Sequence, residues 1–313
     1  MICHYYLTYD CNCRCDYCQV WQNSGLDRSI VPSASTLEKN LDSLHKLGCK
    51  EIVFTGGDPF LYDDLPQALG IAKNKGFSVC LCTNGLLSSK KLVSAAGSLD
   101  RIYLSLDYPS EEEHNAVKAQ ECFAEAMDTI ATALHLGIET VINYTLSRDS
   151  IRYLPELIEL AEEKKTKVRF NPVHHCPALE GFEKASFDYI RRYARHPLVL
   201  FDQQLFELLV KGGNKIDRPS CAVMDNVISI SPDDNLILPC LWAGEASIPI
   251  NGDLEKIMSS DIVKGYRRLQ GDFDSCRGCV AAESVNRSFV GKIKSADVLG
   301  KMKDSIASFV GGR

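Results

Sequence analysis

The sequence predicts an α/β protein whose six βα units suit an open, partial (β/α)6 barrel, with a small hairpin unit appended at the C-terminus. Three observations predict it. Apolar strand-like runs recur six times with helix-length segments between them. Glycines stop those helices, and the rhythm breaks near Asp217, beyond which cysteines surround a hairpin pattern. Strand alternating with helix implies a parallel sheet with right-handed crossovers. By analogy with the full barrel, its site is expected at the C-terminal ends of the strands. The expected division is residues 1–216 for the barrel and 217–313 for the appended unit.

The strands are expected at residues 2–8, 51–55, 78–82, 101–106, 139–145 and 167–172. The first helix carries a capping box, Ser35 with Glu38, and sets Leu37, Leu41, Leu44 and Leu47 on one face before Gly48 stops it. Gly76 and Gly137 give similar stops. Polar residues collect at the strand ends: Thr83-Asn84-Gly85, Ser105-Leu106-Asp107, Asn143, and Asn171 through His175. Taken singly each reads equally well as a cap or turn residue. Beyond Asp217, residues 227–230 and 236–238 read as hairpin strands around a turn at 232–235. In the final stretch Ile293, Leu299, Met302, Ile306 and Phe309 share a helical face, which packs on the barrel or receives a partner.

A chain of 313 residues buries about 75 percent of the surface that its unfolded form exposes, enough for a sizeable core. Hydrophobic content of 45% and charged content of 24% are those of a soluble globular protein. No run of apolar residues reaches membrane-spanning length and no signal-peptide pattern opens the chain, so a cytoplasmic protein is expected, with no membrane partner. Fourteen cysteines in such a chain argue for metal rather than disulfides. Cys3, Cys13, Cys49, Cys80, Cys82 and Cys122 read as packing residues, and Cys176 as the exception to watch. A net charge of −6 gives no footprint for nucleic acid, and Arg191, Arg192 and Arg195 read as a solvated helix face.

The chemistry begins with Cys11, Cys15 and Cys18, a C-x3-C-x2-C triplet directly after the first strand. Three thiolates so spaced can ligate three irons of a 4Fe–4S cube and leave the fourth open. A structural zinc site wants four closed ligands, and no fourth follows at finger spacing. The second strand ends in Gly56-Gly57-Asp58-Pro59, where the glycines let backbone approach a small ligand, Asp58 can accept from an ammonium and Pro59 fixes the turn.

With Tyr17 just before the third cysteine, these two motifs resemble those of the radical S-adenosylmethionine (radical SAM) superfamily. The resemblance implies a partial barrel that binds SAM and a 4Fe–4S cluster on Cys11, Cys15 and Cys18. It further implies that Gly56, Gly57, Asp58 and Pro59 cradle the SAM ammonium, and that Ser105 and Asn143 meet its ribose or carboxylate. Asn84 joins them at the mouth, and Tyr17 flanks the adenine. An external reductant such as ferredoxin or flavodoxin is implied too. Residues 105–137 resemble members with SPASM or twitch extensions, which read Ser-Leu-Asp-Gly and then His-Asp-x-x-Arg-Gly. Here Lys118 stands for that arginine, keeping the charge without the planar fork.

Cys221, Cys240, Cys276 and Cys279 form the pattern C-x18-C-x35-C-x2-C, whose spacing alone does not choose between zinc and iron–sulfur. Behind a radical SAM barrel it resembles a twitch domain holding one auxiliary 4Fe–4S cluster. Four ligands close such a cluster and point to electron transfer, as in twitch enzymes that oxidise an alcohol. Asp107, Arg169, His174 and His175 are the candidates for deprotonating or orienting a substrate; the plain alternative is that Arg169 pairs with a carboxylate and the histidines solvate a loop. Cys176 is a candidate hydrogen donor. The expected substrate is a small metabolite in a tailoring or cofactor-pathway step, because a strand starting at residue 2 leaves no room for an N-terminal peptide-recognition domain. A ribosomal-peptide maturase is the competing reading, and an iron–sulfur electron carrier the non-enzymatic one.

Overall fold

The computed structural model describes residues 1–173 and 182–282. Its strands are β1 (Ile2–Thr8), β2 (Glu51–Gly56), β3 (Ser78–Thr83), β4 (Arg101–Ser105), β5 (Glu139–Leu146), β6 (Lys167–Pro172), β7 (Val199–Leu200), β8 (Val227–Ile230), β9 (Asn235–Leu238) and β10 (Ala246–Pro249). They form one sheet in the order β10-β9-β8-β1-β2-β3-β4-β5-β6-β7. The six expected strands are present, and from β1 to β6 they lie in chain order, parallel throughout. Two further strands, β7 of two residues and β10 of four, were not expected from the sequence.

The C-terminal hairpin does not stand beside the barrel. β8 pairs parallel with β1, Ile2 facing Val227 through Tyr5 facing Ile230, and β9 and β10 follow antiparallel. The unit expected to begin at Asp217 therefore extends the barrel's own sheet across its β1 edge. The terminal helical face at 293–309 and residues His174, His175 and Cys176 lie outside the described residues.

After a single helical turn at Gln19–Gln22, the helix expected first in the sequence spans Ala34–Lys46, capped by Ser33, whose hydroxyl accepts from Thr36 N. Ser35 and Glu38, expected as a capping box, fall inside the helix; Ser33 precedes them and takes the first free amide. Leu37, Leu41 and Leu44 are fully buried, as expected. Arg191 and Arg192 close the helix Lys184–Ala194, where Arg191 meets Asp188 in an exposed pair, the solvated face read from the sequence.

Strand side chains alternate between two environments. Cys3, Tyr5, Leu7, Ile52, Phe54, Leu81 and Leu104 join the helices in the main core. The opposite faces of β2 to β5 contribute Val53, Cys80, Tyr103 and Val141 to a smaller core inside the barrel. Below it, at the N-terminal ends of the strands, a charged belt crosses the floor. Arg101 donates to Glu139 at 2.7 and 2.9 Å, Lys167 reaches the same carboxylate at 3.1 Å, and Glu51 stands 3.8 Å from Arg101.

Glu51 is the weakly held member of this belt, with one oxygen buried and unbonded. Burial pushes its carboxyl from 4.5 up to about 7, the Arg101 charge offsetting only part of the penalty. The unfolded chain gives up this proton at the lower pH and the folded chain at the higher, so stability falls as pH rises between them. Glu51→Gln removes that loss, while Arg101 keeps Glu139. Thermal unfolding should show the variant more stable than wild type at about pH 8, by roughly 1–3 kcal/mol, and equal to it near pH 4. A difference constant across that range would show that Glu51 does not titrate there.

Candidate functional site

β1 delivers the chain into the loop that carries Cys11, Cys15 and Cys18, and nearly every turn of that loop is pinned. Asp10 N donates to Thr8 Oγ1 at 3.0 Å, Arg14 N to Lys118 O at 2.9 Å, and Trp21 Nε1 to Cys15 O at 2.6 Å. The Arg14 guanidinium donates to Cys13 O at 2.8 Å. All three motif cysteines line one cavity of about 280 Å³ at the C-terminal ends of the strands, with Gly56, Gly57, Asn84, Ser105, Asn143 and Arg169 in the same wall. Cys13, read as a packing residue, is buried against Cys15 and Cys122.

Gly56 and Gly57 bring the end of β2 against this loop. A Cβ on Gly56 would stand 2.1 Å from Thr8 O, and one on Gly57 would stand 1.9 Å from Asp10 O. Gly57 N and Asp58 N donate to those same carbonyls at 2.8 Å. The close approach that the sequence assigned to a ligand is thus made first to the cysteine loop.

Asp58, expected to receive an ammonium, is turned away from the cavity. It is fully buried, and its carboxylate accepts from Phe60 N, Thr83 Oγ1 and Asn84 N at 2.8 to 2.9 Å. Burial raises its carboxyl to about 6 against the pull of these donors. Its role is to tie the end of β2 to the end of β3. Pro59 begins the buried turn Pro59–Leu61 and is likewise no part of the cavity wall. Asn84 continues the tie, donating to Asn12 Oδ1 at 2.7 Å and, more distantly, to Cys11 Sγ at 3.8 Å.

Ser105 and Asn143 are register partners on β4 and β5 and face the cavity together. Asn143 Oδ1 is buried without a hydrogen-bond partner, so this wall presents an unused acceptor. Tyr17 closes the wall, its hydroxyl donating to Asp107 Oδ2 at 2.7 Å. Arg169 faces the same cavity from within β6, its guanidinium 5.6 Å from the centre of the Tyr103 ring.

Asp107 is corrected from a substrate-directed group to a buried ion-pair partner. Lys118 Nζ lies 2.8 Å from its Oδ2, and both side chains are 2% exposed. Burial alone would raise the carboxyl, but Lys118 overcomes it and holds Asp107 below the usual carboxylate range. A carboxylate so held keeps its charge. His114 accepts from Asp107 N at 3.2 Å and, desolvated beside Lys118, is pushed down to about 4 and stays neutral.

Cys221, Cys240, Cys276 and Cys279 line a second cavity. Among the described residues no three metal-ligating side chains are grouped as for a single ion; a cube takes each thiolate on its own iron. Sequence reasoning missed the residue that joins the Cys221 segment to the segment of Cys276 and Cys279. Asn214, 2% exposed, donates from its side chain to Gly271 O and Cys276 O at 2.7 and 3.1 Å, accepts from Ser220 N at 3.0 Å, and donates from its backbone to Cys279 O at 2.9 Å. Nothing in the sequence separates it from the other asparagines. Burial, with the other three thiols nearby, raises Cys221 to about 12. His4, Tyr6, Val227 and Trp242 line both this cavity and the barrel cavity.

The sequence matches the Radical SAM superfamily over residues 5–161. The chain belongs to the radical SAM superfamily. It is 26% identical over 161 residues to the Fe-coproporphyrin III synthase of Methanosarcina barkeri, covering 51% of this chain and 40% of that protein. It is 30% identical over 172 residues to the GTP 3',8-cyclase of Chlorobaculum tepidum, covering 52% and 51%. The match thus spans about half or less of the length of these curated relatives. Among solved structures, Streptococcus suis SuiB bound to S-adenosylmethionine has a TM-score of 0.65 at 16% identity over 90% of this chain and 69% of its own. Native anSMEcpe with bound AdoMet gives 0.60 at 14% over 85% and 82%. These likenesses show the radical SAM fold. Membership implies SAM and a 4Fe–4S cluster, and the radical SAM cavity described above fits them: three thiols on one pinned loop, an unused acceptor on Asn143, and the side-chain-free Gly56-Gly57 segment in the same wall. Among the described residues no helix is long and apolar enough to cross a membrane.

Gly57→Ala should separate the two motif loops, since its Cβ cannot coexist with Asp10 O. After anaerobic reconstitution, the variant should hold less than half the iron that wild type holds in the N-terminal site and lose at least tenfold in SAM cleavage. Wild-type values for both would show that the loops need not touch.

Proposed function

We propose that this chain is a radical SAM enzyme that abstracts hydrogen from a small organic metabolite and completes an oxidation by electron transfer to a second, fully ligated 4Fe–4S cluster. Cys11, Cys15 and Cys18 hold the first cluster. When bound, that cluster and SAM supply a 5'-deoxyadenosyl radical, at the expense of an electron from an external ferredoxin or flavodoxin. Ser105 and Asn143 receive the ribose or carboxylate of SAM, and the Gly56-Gly57 backbone borders it. Tyr17, locked by Asp107, forms a rigid flank for the adenine. Arg169 orients the substrate deeper in the cavity, where the wall excludes water and fixes the distance to the radical.

The observation that carries the oxidative reading is the wall shared by the two cavities. Cys221, Cys240, Cys276 and Cys279 offer a closed ligand set, and among the described residues His4, Tyr6, Val227 and Trp242 border both spaces. An electron leaving a substrate in the barrel has one layer of side chains to cross. The relatives that act on tetrapyrroles and nucleotides, by their names, support a small-molecule substrate. SuiB bound to its precursor peptide SuiA, with a TM-score of 0.66 to this chain, supports the peptide-maturase alternative.

Iron and product analysis tests the proposal. Anaerobic reconstitution should give about eight irons per chain, four for each cube, with 5'-deoxyadenosine formed on adding dithionite and SAM. The Cys11, Cys15, Cys18 triple alanine variant should fall to about four irons and form none. Asn214→Ala should also lose iron, but from the second site, keeping SAM cleavage while substrate oxidation fails. Four irons in wild type, unchanged in the triple variant, would end the two-cluster reading.

A further inference from the structure

Lys118 belongs to neither set of cysteines and to no part of the expected SAM cradle, yet it is a fully desolvated ammonium in the wall of the cysteine cavity. Burying an unpaired charge is costly, and Asp107 at 2.8 Å is its counter-ion. The pair is oriented. Lys118 lines the cavity that Cys11, Cys13, Cys15 and Cys18 line, whereas Asp107 lies behind Tyr17 and borders a different cavity with Tyr108, Thr145 and Ser147. The backbone agrees with the side chains, because Lys118 O receives Arg14 N from the middle of the cysteine loop at 2.9 Å. The ammonium also lies 6.0 Å from the centre of the Tyr17 ring, next to Cys18 in sequence.

We propose that Lys118, fixed by Asp107 with its positive end toward the cysteine loop, is a positioning residue that sets the reduction potential of the iron–sulfur cluster held there. The inference rests on the ligand assignment to Cys11, Cys15 and Cys18. Reduction adds a negative charge to a cluster in a desolvated site, which burial opposes and a neighbouring cation favours. Outer partners of a ligand set tune its electronics in this way without touching metal. Without Lys118 the cluster would be harder to reduce. Without Asp107 the ammonium, at a pH low enough to keep it protonated, acts unopposed and makes reduction easier.

Opposite shifts from the two halves of one ion pair separate electrostatic tuning from simple loss of packing. The test uses full-length wild type, Lys118→Met, Lys118→Arg and Asp107→Asn, reconstituted anaerobically. The midpoint potential is read by EPR-monitored titration on the signal that disappears in the Cys11, Cys15, Cys18 triple alanine variant, with iron counted in each sample. Lys118→Met should shift the midpoint to more negative values, Asp107→Asn to more positive values, and Lys118→Arg should stay at the wild-type value with wild-type iron. Shifts of the same sign in Lys118→Met and Asp107→Asn, or no shift in either, overturn the proposal. Should Lys118→Met fail to hold iron, the sign in Asp107→Asn decides alone: a positive shift supports the proposal, and an unchanged or negative one overturns it. A wild-type signal that survives in the triple alanine variant removes the ligand assignment and the inference with it, a failure distinct from unmoved potentials.

Discussion

The site depends on one close backbone contact, the approach of Gly56 and Gly57 to the carbonyls of Thr8 and Asp10. No side chain fits there. Because the contact is made by main chain on both sides, it fixes the cysteine loop to the sheet with the stiffness of a strand pairing rather than of a side-chain contact. The rest is built outward from it: Asp58 follows the glycines and binds the end of β3, Asn84 leaves β3 and reaches back to Asn12, and the loop closes on itself. Three strand ends and the cysteine loop thereby become one unit.

The two carboxylates that sequence reasoning aimed at ligands, Asp58 and Asp107, both serve this unit from behind. Each is buried and saturated or paired, and each connects segments far apart in the chain. An acid in a motif is easily read as a reactive group, because residue type is visible in a sequence and its direction is not. Burial turned both away from the cavity, since a carboxylate deprived of water finds donors wherever the fold offers them. What remains to face a ligand is mostly neutral: backbone, Ser105, the Asn143 amide and an aromatic wall, with Arg169 and the Glu51 carboxyl joining Lys118 as exceptions.

The barrel strands were legible from alternating apolar runs, and the cysteine motifs from their spacing. The sheet's extension was not, because nothing in residues 227–230 announces that their partner is β1, at the other end of the chain. Ser33 displaced Ser35 as a cap for a reason of register that two nearby serines conceal. Asn214 was invisible for a third reason: its importance comes from separate segments meeting at one amide, a property of the folded chain and of no window within it. Lys118 was noticed as a departure from a pattern, but its depth and its orientation toward the cysteine loop emerge only once Asp107 and Arg14 are seen on either side of it.

The bonds around Asn214 have a thermodynamic consequence. None of them uses a sulfur atom, so the long excursion between Cys221 and Cys276 is closed by amide and carbonyl groups of Asn214, Ser220, Gly271 and Cys276. The entropy of closing loops of this length is charged to the polypeptide. Under the proposed ligand assignment, affinity at that site goes into bonds to iron rather than into gathering these two segments, so the folded chain is prepared to take up a preassembled cluster.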